Sequence, residues 1–442
     1  MDKKDKDIKF SIINLDNGIK TLVYPLEHVN SVSIIAIVKA GHFYEKVDEN
    51  GVAHLLEHTL FDGTKDFPSF QSLTEFFDKM AGSLSGTTSY DFITAGGTFV
   101  DEEVDNAFFA IKQVLFQPLL LDEFITKEKG IIIDELSSLE DSNDYKNFLN
   151  AKKIRFNGKT ILSLPLGGTQ ASLRSITSGM LRKYHKDMFC PNNVRIVIIG
   201  KCTEEQLKPI LKKHFSQFKP NLSLKPVEFS PDQLSDKTIS LIDENAKKSY
   251  IRITFPSYSW KSSSKDRVAL AYICSLLANR RDSLLYSHLR EKLGWIYDIG
   301  ADFMVGYDIG VFEIETSTPT ERSLDVIKEI LKAIKRIKIK SFDKEYFEKI
   351  KDIDKKNMKM VFDTPEGILR WFSEEMVYRY PKIILPKDLI KIYDKITVEN
   401  IQAVAEEIMN IDKINISILQ PFDKTDKKKY KESIENLVNQ YC

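Results

Sequence analysis

A short pattern occurs twice in this chain and limits what it can fold into. Ile176-Thr177 opens a helical pattern that runs into an alternating stretch from Val194 to Ile199. After 220 further residues, Ile396-Thr397 opens a second helical pattern leading to Ile414 through Leu419. At that offset Val194, Ile196 and Ile198 overlay Ile414, Ile416 and Ile418 without a gap. Apolar residues at every second position have the period of a half-buried strand. Helix, strand and spacing recurring together point to a duplicated domain. The chain has room for one: 442 residues, 42% hydrophobic and 29% charged, suit two to four domains with ample core.

The break between the halves falls where Pro220, Pro226 and Pro231 punctuate a stretch without helical periodicity. We expect a first domain over 1–221, a linker over 222–235 and a homologous second domain over 236–442. Strand-like runs at 9–13, 19–25 and 32–40 begin the first half. An extended stretch rich in Ser, Thr and Gly follows at 83–100, and long helical patterns run from about 103 to 157. The second half starts with strands near 237–255 and again moves into helices. Strands followed by helices predict an α+β class, two α/β-sandwich domains in tandem with helices packed on antiparallel-rich sheets.

The chemistry is concentrated in His54-Leu55-Leu56-Glu57-His58, which holds two of the 7 histidines. Histidines four apart on a helix stand one above the other, so both rings can reach one metal ion. Glu57 lies near the same face, within reach of a water beside the ion. Two imidazoles and a carboxylate base are the minimum for zinc-assisted hydrolysis. Asn50 is placed to cap the helix, and Val52, Leu56 and Leu60 repeat at helical spacing to give it a core-facing side. A metal needs a third ligand. The acid-rich stretch 122–144 offers several, and the residues alone leave Asp134, Glu135 and Glu140 open, because most acids on a helix are simply solvated. His42 and His185 sit in no comparable pattern and read as structural.

His-x-x-Glu-His is the inverzincin signature, and the chain resembles the pitrilysin, insulysin and mitochondrial processing peptidase family along most of its length. The family's third ligand is a Glu some 76 residues beyond the second His, which here is Glu135; its Glu seven residues earlier is here Glu128. Leu166-Gly167-Gly168-Thr169 with Ser175-Ile176-Thr177 resembles the segment after the ligand helix. Pro191-Asn192-Asn193, followed by a Val/Ile run to Gly200, resembles the next strand. Leu289-Arg290-Glu291-Lys292-Leu293-Gly294-Trp295-Ile296-Tyr297 resembles the family's substrate-contact stretch. Upstream of it the chain departs from the family's Gly-rich turn, reading Ala278-Asn279-Arg280-Arg281-Asp282.

The resemblance implies one zinc ion per chain, held by His54, His58 and Glu135. Glu57 is then the base that activates water, and Glu128 orients a ligand or that water. Arg290 and Tyr297 become donors to the substrate backbone and the tetrahedral intermediate. It also implies a peptide substrate added as a strand to a sheet edge, with Ser85, Gly86 and Thr87 as the candidate edge. Large single-chain relatives are about twice as long and close as a clamshell. A chain of this length is therefore expected to dimerise, as a homodimer or a heterodimer with a related subunit. The family also includes non-catalytic scaffold or partner subunits, which is the alternative role.

Composition excludes other classes. Lys plus Arg and Asp plus Glu balance at 64 each, so no net charge draws the chain to nucleic acid or an anionic membrane. The charged start, Met1 to Asp7, has neither the apolar core of a signal peptide nor the acid-poor look of a transit peptide. No apolar run is long enough to span a bilayer. Cys190, Cys202, Cys274 and Cys442 are scattered and read as reduced thiols, consistent with a cytoplasmic protein.

Overall fold

Two sheets of matching topology organise the chain. The computed structural model describes residues 9–230, 233–339, 343–422 and 426–441; the charged start 1–7, Pro231, Lys424 and Cys442 lie outside the described residues. The first sheet comprises β1 (Ser11–Asn14), β2 (Lys20–Pro25), β3 (Ser31–Val38), β4 (Ser85–Thr88), β5 (Ile93–Val100) and β6 (Val194–Gly200), in the order β1-β2-β6-β3-β5-β4. The second comprises β7 (Thr238–Asp243), β8 (Ser249–Ser257), β9 (Ile299–Val305), β10 (Gly310–Thr318) and β11 (Asn415–Gln420), in the order β7-β11-β8-β10-β9. With β1 set aside, the two orders correspond strand for strand. Each sheet has one parallel pair, β2 with β6 and β7 with β11, and is otherwise antiparallel.

The repeated sequence pattern has a definite structural meaning. Its strands are β6 and β11, each lying between a parallel and an antiparallel neighbour. Ile198 stands opposite Ile34 in β3, and Ile418 opposite Ile251 in β8. The Ile-Thr pairs are helix starts. Thr177 Oγ1 accepts from the Met180 amide at 3.2 Å, and Thr397 Oγ1 from the Asn400 amide at 3.3 Å. The preceding Ile176 and Ile396 are buried. A hydroxyl cap behind a buried aliphatic fixes where each helix begins and at what angle the chain enters it.

The compact units are not contiguous in sequence. One contains Met1–Leu136, Pro165–Val227 and Lys359–Ile384; the other contains Ser137–Leu164, Glu228–Met358 and Leu385–Cys442. The division at 222–235 expected from the prolines therefore differs from the packing, because 137–164 and 359–384 each join the other half. The reason is visible in two helices. Helix Pro365–Tyr378 packs on β6 and β3, with the Phe372 ring 5.3 Å from Phe10 and 5.5 Å from Tyr24. Its Tyr378 hydroxyl donates to Asp91 at 2.8 Å. Helix Asn143–Arg155 lies on β11 and β8 and buries mostly polar groups: Asn147, Lys152 and Arg155 beside Ala151. Such a helix has no apolar stripe, so its burial leaves no periodic trace.

Arg155 is the largest of these groups and is 1% exposed. It donates to Thr254 Oγ1 at 3.2 Å and to the carbonyls of Thr254 and Lys413 at 2.6 Å each. The hairpin β9–β10 is an element the strand-then-helix reading passed over, although Phe312, Ile314 and Thr316 alternate with Glu313 and Glu315 as a strand should. Among the described residues, no helix is long and apolar enough to cross a membrane.

Replacing Arg155 by Ala removes its hydrogen bonds to Thr254 and Lys413 and opens a void, so Arg155→Ala should lower stability by about 3 kcal/mol. Urea unfolding of the full chain measures it, and an unchanged midpoint would contradict this account of the second unit.

Candidate metal centre

Helix Val52–Thr59 carries the motif. It buries Val52, Ala53, Leu55, Leu56 and Thr59, leaving His54, Glu57 and His58 on the partly open face. The expected cap is different in the structure. Asn50 is buried, and its amide donates to Pro165 O at 2.9 Å and to Glu45 at 3.1 Å. The first helical amides are instead satisfied by Glu45, which accepts from Gly51 N at 3.0 Å and from Ala53 N at 2.9 Å. A carboxylate satisfies free amides and complements the positive end of the helix. His42 Nδ1 braces the same carboxylate at 3.0 Å.

Two glycines finish the seat. Gly51 has φ +93° and Gly168 has φ +83°, a region costly for other residues. A Cβ on Gly168 would lie 2.9 Å from Asn50 O and Gly51 Cα, and one on Gly167 would lie 3.2 Å from His54 Nδ1. The Leu-Gly-Gly-Thr segment is thus the surface against which the motif helix starts.

Donor atoms of His54, Glu57 and His58 all lie within 4.8 Å of one another. The two imidazole centroids are 4.7 Å apart at 86°. Burial, then the neighbouring His58, lowers the His54 pKa to about 4, which keeps its ring neutral as a metal ligand must be. His58 Nδ1 is 3.0 Å from Glu128 Oε2, and His58 Nε2 is 4.0 Å from Glu135 Oε2. Glu128 and Glu135 share helix Asp122–Glu140, two turns apart, the first buried and the second half exposed. The two imidazoles and the Glu57 carboxylate grouped this closely, with Glu135 beside His58, are a donor set that fits a zinc ion.

The carboxylates differ in environment. Glu57 is pushed up by burial, against the opposing pull of His58 and of Thr88, whose hydroxyl is 3.4 Å from Oε2. Burial also pushes Glu128 up, but Lys127 and His58 outweigh it and hold its carboxyl below the ordinary range. Beside Glu57 runs β4, the end strand of its sheet. Ser85 and Thr87 face out while Gly86 faces the site; a Cβ on Gly86 would lie 2.6 Å from Glu57 Oε1. A cavity of about 330 Å³ adjoins Glu57 and His58, walled by Phe61, Phe70 and Leu84. Among the described residues, this is the one His/Cys/Asp/Glu cluster of metal-binding geometry.

Arg290 and Tyr297 belong to the other unit and lie together there, the guanidinium carbon 4.8 Å from the Tyr297 ring centre. Arg290 donates to Ile296 O at 3.1 Å, from a wide π-type helical turn spanning Tyr286–Lys292, and the Tyr297 side chain is largely exposed. The departure at 278–282 is braced by Asn279, which donates to Ala301 O at 2.6 Å and accepts from Ala301 N at 2.8 Å. Glu45, Asp62, Thr88 and Lys127 adjoin the centre without having been singled out in the sequence. Asp62, four residues past His58, and Lys127, next to Glu128, carried a spacing signal; Glu45 and Thr88 carried none.

Two family models match the chain: "Insulinase (Peptidase family M16)" over 23–167 and "Peptidase M16 inactive domain" over 175–353. The chain belongs to peptidase family M16. The first M16 model takes in His54, Glu57, His58, Glu128 and Glu135, and the second takes in Arg290 and Tyr297. A relative named an uncharacterized zinc protease, from Rickettsia bellii, is 26% identical over 91% of this chain and 95% of its own length. The fold matches the crystal structure of a protease from Helicobacter pylori, with a TM-score of 0.84, 18% identity, and coverage of 93% of this chain and 100% of that one. It also matches the periplasmic protease PqqL of Escherichia coli with a TM-score of 0.79 and 17% identity, over 98% of this chain but 50% of PqqL.

Gly168→Ala should destabilise this M16 chain by about 2 kcal/mol or more, because both the positive φ and backbone crowding oppose a side chain there. Chemical denaturation tests this. Wild-type stability in the variant would remove the glycine pair from the account of how the motif helix is seated.

Proposed function

We propose that this chain is a zinc-dependent endopeptidase acting on oligopeptides or unfolded segments. The carrying observation is the grouping of His54, Glu57 and His58 donors within 4.8 Å, with the Glu135 carboxylate 4.0 Å from His58 Nε2. His54, His58 and Glu135 would hold the ion, a three-ligand set that suits a catalytic site better than a closed structural one. Zinc, when bound, supplies Lewis-acid polarisation of a water and a peptide carbonyl. Glu57 takes the proton of the attacking water and returns it to the leaving amine. Its burial raises its basicity, as suits a group that takes a proton from water. Thr88 holds one Glu57 oxygen in place, and Glu128 orients His58.

The substrate would pair with the outer edge of β4, its main chain against Ser85, Gly86 and Thr87. The side-chain-free Gly86 lets a strand there pass close to Glu57. Arg290 and Tyr297 supply donors for the developing oxyanion and the adjacent peptide group. Because the chain corresponds to half of PqqL, we further propose a dimer in which a second copy, or a related subunit, completes a clamshell chamber. The match of the second half to a domain described as inactive keeps one other reading in view, a non-catalytic partner subunit.

Glu57→Gln separates these readings. Turnover of a quenched peptide library should fall by about 10²–10⁴-fold, while bound zinc, measured by elemental analysis, stays near one per chain. Equal turnover in the variant, or a wild-type chain that neither takes up zinc nor cleaves, would sink the peptidase. The dimer has its own test. Mixing Glu57→Gln chains with Arg290→Ala chains should recover activity that neither has alone, and verified mixed dimers without recovery would rule out composite sites.

A further inference from the structure

We propose that Lys127 and Asp62 are positioning residues that lock the His58 ring for metal binding, an inference resting on the zinc reading above. The observation is an unbroken chain of charged contacts within the first unit. Asp62 Oδ1 lies 2.9 Å from Lys127 Nζ, Lys127 Nζ lies 2.9 Å from Glu128 Oε1, and Glu128 Oε2 lies 3.0 Å from His58 Nδ1. The geometry is not that of an ordinary surface ion pair. The carboxylates of Asp62 and Glu128 are each only 7% exposed, and both meet the one Lys127 ammonium, whose side chain is 57% exposed. Exposed pairs contribute little, but removing one partner from a buried group leaves charge without compensation.

The consequence for His58 follows from donor counting. An ionised carboxylate can only accept, so the hydrogen in this contact belongs to Nδ1, and Nε2 is left as the nitrogen available to a metal. Nε2 is the nitrogen that faces Glu135. Glu128 has two oxygens, and Lys127 engages one while His58 engages the other. With Oε1 held, the carboxylate cannot swing Oε2 off the ring. Lys127 reaches Glu128 from the adjacent position on the same helix, and Asp62 fixes the ammonium from the loop just after the motif helix. The two elements that would supply zinc ligands are thereby tied by a contact containing no ligand.

The test uses the full chain with ¹⁵N-labelled histidine, in two measurements. Ring nitrogen shifts in the metal-free protein report the His58 tautomer, and competition with a chromogenic chelator reports zinc affinity. Lys127→Met should convert His58 from the Nδ1–H form to a tautomer mixture and weaken zinc binding by about 10–100-fold. Lys127→Arg, which keeps the charge and can bridge both carboxylates, should hold both readouts near wild type. Asp62→Asn should weaken zinc less than Lys127→Met, since Lys127 still serves Glu128. Lys127→Gln replaces Lys127→Met should the latter not fold. Wild-type tautomer and affinity in Lys127→Met, alongside loss of zinc in a His58→Ala control, would overturn this proposal alone. Zinc bound equally well by His58→Ala would instead overturn the metal reading, and the positioning role with it.

Discussion

An eight-residue helix carries His54, Glu57 and His58, and a helix of that length does not persist alone in water. Its rigidity is imported. One face is buried against helix Ser178–Met188 and strands β4 and β5. Its first amides are held by the Glu45 carboxylate, and its start rests on the backbone of Gly167 and Gly168. Each support comes from a different part of the chain, so the spacing of the two imidazoles is a property of the whole unit. A catalytic arrangement must be held within fractions of an ångström by just such surrounding contacts.

The same surroundings set the charge state of each group. His54, buried beside another imidazole, stays neutral. Glu57 is deprived of water and becomes more basic, while Glu128, equally a glutamate, is held more acidic by the lysine and histidine beside it. Three titratable groups within a few ångströms thus have three different tendencies, decided by neighbours and not by residue type. This separation is in keeping with the different roles proposed for the two carboxylates.

Much of the architecture was legible because its signals are periodic. The alternation in β6 and β11, the Ile-Thr starts and their common offset describe one domain written twice, and both sheets have the corresponding strand order. The His-x-x-Glu-His spacing was equally plain, since a helix places residues four apart on one face. Glu135 was not distinguishable from Asp134 or Glu140 by any local property; only family spacing selected it, and the structure puts its carboxylate 4.0 Å from His58 Nε2. Helix Asn143–Arg155 packs within the second unit through a buried side that is mostly polar, which hydrophobic periodicity cannot register. The β9–β10 hairpin had its alternation in view and was passed over in favour of a helical continuation.

By itself, then, the sequence determined which segments become strands and helices over most of the chain, that the domain recurs, and which helix face bears the imidazoles. These depend on neighbours a few residues apart, whose geometry the backbone period dictates. The tertiary structure alone decided which helix covers which sheet, that Glu45 and not Asn50 caps the motif helix, and that Lys127 bridges Asp62 and Glu128 behind His58. Those contacts join residues distant in sequence or flexible at the side chain. Their selection reflects competition among many possible partners for buried charge and hydrogen bonds, which no local pattern encodes.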